Sequence, residues 1–389
     1  MGAGTRTIAG AAGVSSISSK LATSAPGDVA SSPARDIFAA VMNAPGRCGH
    51  AIQMRALWQS IVLAALCVSC AGHPAPVSPQ PVPARDVMPG RWRSQTGTCM
   101  EIPDWDVHEV DRDLYILRQS PCASYEKPFV FLLFGDDRAL LLDTGDGEDN
   151  HLAAAVARLV RLWRERTGHP AVSLLVAHTH EHGDHTGGDA DLAALRDPEL
   201  TVAVTPLELD ATRRLYGIAS WPTDIGHVDL GGRVLDAIPI PGHSKLSIAL
   251  YDRRTQILFS GDSLYPGRLY VFDIPAFEAS IARLVQFTAD RPVARVIGNH
   301  IEQTSTPFRD FTIGTLFQRD EHDLALSRGS LLELQAALAS MHGAPRRLAL
   351  RDFTIFPAGP GFIRPEEIDQ AKRSIEDARA ARWQRAPVP

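Results

Sequence analysis

Short apolar runs and longer amphipathic stretches alternate through the middle of the chain, and this alternation predicts a mixed α/β domain. Apolar runs of strand length that are bounded by turn residues predict strands. Leu152, Val156, Leu159, Val160 and Trp163 recur with the helical period and predict a helix over residues 151–166. The predicted strands are residues 114–117, 129–134, 139–143, 172–177, 201–204, 234–240, 247–251, 256–260, 295–298 and 348–356. The other predicted helices are residues 191–196, 276–287, 331–341 and a charged C-terminal helix that begins at Pro365. Two sheets with helices outside them accommodate this order.

The N-terminal part of the chain has a different pattern. Residues 1–53 are rich in Ala, Gly and Ser without any period, so we interpret them as disordered or untranslated, with translation starting at Met54 or Met42. A basic residue, an apolar run at 61–68 and a small-residue exit then predict a secretory signal peptide over 54–70. The apolar run is too short for a membrane-spanning helix. The alternative is a buried helix of the fold.

Export would also explain the residues at the end of this segment. Val68-Ser69-Cys70 resembles the lipobox of bacterial lipoproteins, in which the cysteine is acylated, and simple cleavage is the alternative. Six prolines lie between Pro74 and Pro89, so residues 71–95 are predicted to be a semi-rigid linker. We therefore expect an exported, periplasmic protein that is soluble or attached to the membrane through a lipid on Cys70.

Two cysteines of the predicted domain, Cys99 and Cys122, are also consistent with export to the periplasm. Cys99 and Cys122 flank one predicted hairpin region, and a bridge between them is expected in an oxidising periplasm. The alternative is a pair of free thiols in a reducing cytosol.

Composition and charge narrow the function classes. The chain has 389 residues, of which 44% are hydrophobic and 22% charged, and its net charge is −6. These values exclude collagen, a coiled coil, disorder throughout and a polytopic membrane protein. Residues 1–69 carry a net charge of +3, so the rest carries −9. Nucleic acid is therefore not an expected partner, because phosphate binding depends on Lys and Arg; a small-molecule substrate is expected instead.

Four of the fourteen histidines lie within residues 178–185, directly after the apolar strand predicted at 172–177. Metal coordination explains such a run, because it keeps clustered imidazoles neutral and bonded. His180 and His182 lie two residues apart and point the same way on an extended segment. Beyond the turn at Gly183, Asp184 and His185 can face a second ion. The alternative is a solvated polar loop.

Three later residues fit the same site. His243, Asp262 and His300 each follow a predicted strand and lie beside or near a glycine. Each alone would indicate a turn or a satisfied core group. Together with the histidine run they predict one metal centre at the ends of several strands.

The series His180-x-His182-x-Asp184-His185, then His243, Asp262 and His300, resembles the metallo-β-lactamase superfamily over roughly residues 110–310. The resemblance implies a four-layer αββα sandwich, α/β (α+β) in class, as a single catalytic domain at residues 96–358 that is followed by a helical tail at 359–389. Asp143, in Leu141-Leu142-Asp143-Thr144-Gly145, resembles the family's first motif, which supports the ligand loop. His178 is assigned to support or structure rather than to metal.

The resemblance also implies the ligand sets. Ion one would take His180, His182 and His243. Ion two would take Asp184, His185 and His300, and Asp262 would bridge both. Imidazoles and carboxylates without thiolate suit two Zn²⁺, and also Fe or Mn. Two such ions ~3.5–4 Å apart lower the pKa of a shared water towards ~7, so a bridging hydroxide could attack an ester, thioester or lactone carbonyl. Asp184 and Asp262 are the catalytic carboxylates in this scheme.

Three alternatives remain open at this point. A β-lactam hydrolase is ranked lower, because those enzymes generally lack an aspartate at the position of Asp262. An iron-dependent, persulfide-dioxygenase-like oxidoreductase uses related ligands. A metal-binding lipoprotein without catalytic activity would keep the same ligand set.

The loop after Asp262 supplies candidate substrate contacts. Tyr265 could donate its phenol to the oxyanion, which would make it catalytic, and Arg268 could bind a substrate carboxylate. Tyr270 in the same loop and Lys245 after His243 are further candidates for binding substrate. The alternative is that these side chains pack the loop or, for Lys245, remain solvated.

Overall fold

The computed structural model describes residues 102–358 except residue 149, together with residues 88, 89, 92, 366, 369, 370, 372, 373 and 376. The predictions for residues 1–53, the signal peptide at 54–70, Cys70 and Cys99 lie outside the described residues. The C-terminal helix predicted from Pro365 lies mostly outside them. In the part that is described, no helix is both long and apolar enough to cross a membrane.

The first sheet is built from the N-terminal half of the domain. Its strands are adjacent in chain order, with the first four antiparallel and β4, β5 and β6 parallel to one another. Their bounds are β1 Trp105–Asp111, β2 Leu114–Gln119, β3 Phe129–Phe134, β4 Ala139–Leu142, β5 Val172–Ala177 and β6 Leu200–Val204. Strands β2, β3 and β4 are buried along their whole length, which explains why β3 and β4 are continuous apolar runs and why β2 is apolar up to Leu117.

The second sheet has the order β13-β12-β10-β9-β8-β7, with β10 and β12 parallel. Its strands are β7 Gly226–Asp229, β8 Val234–Pro239, β9 Ile248–Asp252, β10 Ile257–Gly261, β12 Arg295–Gly298 and β13 Ala325–Leu326. A small third sheet joins β11 Arg268–Val271, β15 Thr354–Pro357 and β14 Leu348–Ala349. The helices are α1 Leu152–Thr167, α2 Gly183–Thr186, α3 Asp189–Ala194, α4 Leu209–Tyr216, α5 Ile274–Phe287 and α6 Arg328–Ala339.

Three apolar clusters define the layers. One lies between the two large sheets and includes Ile116, Phe131, Leu250 and Phe259. A second packs the outer face of the first sheet against α1, and a third packs the second sheet against α5 and α6. The order helix, sheet, sheet, helix confirms the predicted four-layer αββα fold.

A buried ion pair joins the first sheet to the segment before β13. Arg118 on β2 and Glu321 lie 2.6 Å apart, and each side chain is only 1% exposed. The guanidinium also lies over the Phe129 ring at 4.9 Å. Removing one partner would destabilise the fold, because the buried charge that remains would lose its ion pair.

Several boundaries differ from the sequence predictions. Trp92 lies within the predicted linker at 71–95, yet it is buried and packs edge-on against Phe129 with ring centroids 4.9 Å apart. The strand predicted at 348–356 is a hairpin of β14 and β15, because a turn brings Leu350 N to Phe353 O at 2.8 Å. Strands β1, β7, β11 and β13 and helices α2 and α4 were not predicted. The helix predicted at 191–196 begins two residues earlier, at Asp189.

Candidate metal centre

Four chain segments bring chemistry-bearing side chains to one edge of the sandwich. The segment after β5, in the first sheet, carries His180, His182, Asp184 and His185. The ends of β8, β10 and β12, in the second sheet, carry the other three: His243, Asp262 and His300. The site is therefore assembled from both sheets.

A glycine allows the approach of His243. Gly242 has φ +142°, and a Cβ there would lie 2.5 Å from the Cα of Phe277 at the start of α5. Only glycine fits against the helix in this conformation. The following histidine is thereby held next to the histidines of the first sheet.

The first cluster consists of His180, His182 and His243. His180 Nε2 lies 3.0 Å from His182 Nδ1, and His243 Nε2 lies 3.1 Å and 3.0 Å from those two atoms. Three imidazole nitrogens at these separations can bind one ion at about 2.0–2.1 Å.

The second cluster consists of Asp184, His185, Asp262 and His300. His300 Nε2 lies 3.3 Å from Asp184 Oδ2 and 3.4 Å from Asp262 Oδ1. His185 Nε2 lies 3.6 Å and 3.5 Å from the same two oxygens. All four side chains are buried, and their ligand atoms lie within 4.8 Å of one another.

Asp262 faces both clusters. Its Oδ1 points to the second cluster, and its Oδ2 lies 3.4 Å from His243 Nε2 in the first. Neither oxygen has a hydrogen-bond donor among the described residues, although both are buried. A buried carboxylate that lacks donors and faces imidazole nitrogens on two sides fits a metal centre, because cations would compensate its charge.

The charges of the two clusters differ. Burial and the imidazoles of His185 and His182 hold the pKa of His180 well below its usual value, which favours the neutral, ligating form. Burial would also lower the pKa of His185, but the carboxylates of Asp262 and Asp184 raise it well above its usual value. Burial would raise the pKa of Asp262, but His300 and His185 hold it well below its usual value.

Asp143 supports two of the four segments, the one after β5 and the one after β12, although it belongs to neither cluster. It is fully buried and has a left-handed backbone, with φ +67°. Its Oδ1 accepts from Thr179 N at 2.7 Å, and its Oδ2 accepts from Thr179 Oγ1 at 2.9 Å and Asn299 Nδ2 at 2.7 Å. His185 Nδ1 lies 3.1 Å from the same Oδ2. A hydrogen bond to Nδ1 leaves His185 Nε2 facing the second cluster.

Backbone carbonyls orient two other histidines. His243 Nδ1 lies 2.7 Å from Tyr270 O, and His300 Nδ1 lies 3.2 Å from Glu126 O. A carbonyl can only accept, so each Nδ1 carries the proton and each Nε2 is the available ligand atom. Sequence reasoning missed these carbonyls as well as Thr179, since backbone groups carry no residue signature.

His178 lies outside both clusters, as predicted. Its Nε2 lies 2.9 Å from Asp189 Oδ1, at the start of α3. Asp189 also accepts from Thr144 Oγ1 at 2.8 Å. His178 therefore helps to fix the histidine segment without reaching the cluster atoms.

Two of the predicted substrate contacts are used inside the protein. The Tyr265 hydroxyl is buried and donates to Arg268 O, so it does not face an oxyanion as expected. Arg268 is 5% exposed and its guanidinium bonds Glu302 at 2.9 Å, Asp310 at 2.7 Å and Phe311 O at 2.6 Å. These interactions correct both predictions: the residues after Asp262 form β11 and its ion pairs, rather than an open substrate loop.

The other two candidate substrate-binding residues, Tyr270 and Lys245, have different surroundings. Tyr270 accepts from Arg268 Nε at 3.1 Å, and burial raises the pKa of its hydroxyl to about 12. Its clearest contribution is the carbonyl that holds His243. Lys245 is exposed on the turn after His243, so a role in binding substrate remains a prediction.

Two further features lie in the connection between β2 and β3. Lys127, next to Glu126, is buried and donates to Thr315 O at 2.9 Å, and burial lowers the pKa of its amine to about 8. Cys122 is disulfide-bonded. Its predicted partner, Cys99, lies outside the described residues, so that pairing stays a prediction.

The chain belongs to the metallo-β-lactamase superfamily, whose family model matches residues 126–341. This match confirms the resemblance inferred from the ligand series. Among curated proteins, the chain is similar to the acyl-coenzyme A thioesterase MBLAC2 of Gallus gallus, with 27% identity over 230 residues, covering 52% of this chain and 82% of the relative. It is also similar to the hydroxyacylglutathione hydrolase of Xanthomonas axonopodis pv. citri, with 33% identity over 171 residues, covering 41% and 56% of the two chains.

A solved metallo-β-lactamase from Pontibacter korlensis aligns with a TM-score of 0.40 and 18% identity, covering 60% of this chain and 99% of that chain. The family membership and the hydrolases among its relatives make the chain a metallo-hydrolase.

Proposed function

We propose that the chain is a dinuclear metal-dependent hydrolase that cleaves an ester or thioester bond. The observation that carries this proposal is the position of Asp262, whose two oxygens face separate groups of ligand-type side chains. His180, His182 and His243 would hold one ion, and Asp184, His185 and His300 the other, with Asp262 shared. Two ions held there would supply hydroxide at neutral pH and polarise the carbonyl oxygen.

The protein's own contribution is to fix the orientation of the donors. Asp143, Tyr270 O and Glu126 O hold His185, His243 and His300 with Nε2 directed to the clusters. Asp184 Oδ2 lies beside His300 and His185, where it could also accept a proton from an attacking water. Zinc suits this set of nitrogen and oxygen donors, and iron or manganese would also bind it.

The relatives support the choice of bond. Those named above are a thioesterase and a hydrolase of hydroxyacylglutathione, so their names favour a thioester over a β-lactam. Lactones share the same acyl-carbon chemistry and belong in the same substrate panel.

The test measures metal content and hydrolysis with the full chain. An acyl-coenzyme A thioester, an S-acylglutathione, a phenyl ester, a lactone and a β-lactam are the substrates. We expect about two ions per chain and thioester or ester turnover that is lost on removal of metal by a chelator. His180→Ala should lose metal and activity, whereas His227→Ala, at an exposed histidine on β7, should keep both. One iron per chain with oxidation of a persulfide, or metal without hydrolysis of any substrate, would overturn the proposal.

We also propose that the protein acts outside the cytoplasm. The signal-like segment at 54–70 and the disulfide at Cys122 support this placement. Mass spectrometry of the protein recovered from its native host should find a mature chain that begins at or near Cys70, with or without a lipid. An intact N-terminus in the cytosolic fraction would contradict it.

A further inference from the structure

We propose that Glu181 and Ser244 are positioning residues that couple the two segments of the first cluster; this inference rests on the proposed function. Glu181 lies between the two ligand-type histidines of the first segment, and Ser244 directly follows His243. The Ser244 hydroxyl donates to Glu181 Oε2. The bond therefore joins the immediate neighbours of all three imidazoles.

The connection crosses between the two sheets. His180 and His182 follow β5 in the first sheet, whereas His243 follows β8 in the second. The three nitrogens can stay 3.0–3.1 Å apart only if these segments keep their separation. A hydrogen bond to a carboxylate is stronger than one between neutral groups, and it has a defined direction.

The turn that carries Ser244 is itself well ordered by hydrogen bonds. Ser244 is 8% exposed, and its hydroxyl oxygen accepts from Leu246 N at 3.1 Å. Ser247 Oγ accepts from Ser244 N at 3.1 Å. The hydroxyl of Ser244 is therefore oriented before it meets Glu181, and the bond constrains the histidine segment rather than a free side chain.

A second connection joins the same two sheets beside His180. Ile248 N, at the start of β9, donates to Thr179 O at 2.8 Å. Thr179 precedes His180 and Glu181 follows it, so this backbone bond and the Glu181–Ser244 bond lie on either side of His180 in the sequence. The backbone bond is available in any sequence, whereas the side-chain bond depends on the two residue types in this chain.

The proposal predicts an effect on one ion only. Loss of a residue that orients metal ligands costs about 10- to 100-fold in metal affinity. Ser244→Ala and Glu181→Ala should weaken one of two Zn²⁺ sites by that factor and leave the other unchanged. Glu181→Gln should recover most of the affinity, because its amide oxygen can accept from the same hydroxyl. The double variant should be no weaker than either single variant, because both changes remove one bond.

The experiment is a competition titration of the metal-free full chain with Zn²⁺ and a chromophoric chelator. Glu208→Ala, an exposed carboxylate at the start of α4, is the control for the change in charge. Thermal denaturation of each metal-free variant verifies that it is folded. Unchanged affinity at both sites in Ser244→Ala and Glu181→Ala, equal loss at both sites, or additive losses in the double variant would overturn the inference while leaving the proposed function intact. A wild-type chain that binds no Zn²⁺ would instead overturn the proposed function and this inference with it.

Discussion

The carboxylate of Asp143 offers a test of how the second cluster is held. It accepts hydrogen bonds from Thr179 N and Oγ1 and from Asn299, and it lies 3.1 Å from His185 Nδ1. Asp143→Asn keeps the volume but replaces one oxygen with a donor. If the amide oxygen stays on Thr179 N, the amide nitrogen faces the side chains of Asn299 and His185, which themselves donate to Asp143 in the wild type.

The cost can be worked from these contacts. Three donors meet the replaced oxygen, but the Thr179 hydroxyl can rotate and accept from the new amide, so two hydrogen bonds to a charged acceptor are lost. Such bonds contribute about 1.5–3 kcal/mol each, so the metal-free protein should lose about 3–6 kcal/mol of unfolding free energy. The new donor also favours the His185 tautomer that accepts at Nδ1 and carries its proton on Nε2. That proton occupies the atom facing Asp262, so the second cluster should bind metal about 10- to 100-fold more weakly.

The assay is denaturant unfolding of the metal-free chain together with metal titration. Asp189→Asn is the matched control, because Asp189 holds His178, which is not in either cluster. It should bind metal as the wild type does and lose less stability. The reasoning is refuted if Asp143→Asn binds metal with wild-type stoichiometry and affinity, or if Asp189→Asn loses metal to the same extent.

Three other predictions address buried charges. Arg118→Met should cost about 3–5 kcal/mol in urea unfolding, because it removes the buried guanidinium that donates to both carboxylate oxygens of Glu321, and adding Glu321→Met should recover most of that loss; a double variant as unstable as the single one would contradict this. The amine of Lys127 has a folded pKa of about 8, below its unfolded value of 10.5, so the unfolded chain binds more protons between these values. Stability relative to Lys127→Met should therefore rise by about 3 kcal/mol from pH 7.5 to 10.5, and parallel pH profiles would show that the amine does not titrate this way. Arg268→Met should lower the denaturation midpoint without a selective rise in KM for carboxylate-bearing substrates, because its guanidinium bonds Glu302 and Asp310; a selective rise at unchanged stability would restore the substrate role.

The parts of the fold that could be predicted from sequence are those in which burial alone determines the residue types. Residues 129–134, 172–177 and 295–298 are strands with the predicted bounds. The first of these strands is buried throughout, and the other two are largely buried. The second is followed directly by the histidine run. β7, Gly-His-Val-Asp, has only one large apolar residue, and β1 is largely polar along its exposed side.

The site residues whose roles were predicted wrongly or missed depend on contacts between distant parts of the sequence. Arg268 looked like a substrate anchor because an arginine in a predicted loop has no visible partner, yet Glu302 and Asp310 are 34 and 42 residues away in sequence. The carbonyls of Glu126 and Tyr270 could not be found at all, because every residue has one. Ligand-type side chains can be read from their order, whereas the groups that orient them are fixed by tertiary contacts.

Because the clusters are divided between the two sheets, bound metal would also stabilise the fold. Every candidate ligand up to residue 185 belongs to the first sheet and every one from residue 243 onwards to the second. Neither half of the domain supplies a complete cluster, so ions bound there would link the first sheet to the second. The free energy of metal binding would then add to the docking of the sheets, and the unfolding midpoint would follow the free metal concentration. Depletion of metal would loosen the architecture as well as stop the chemistry.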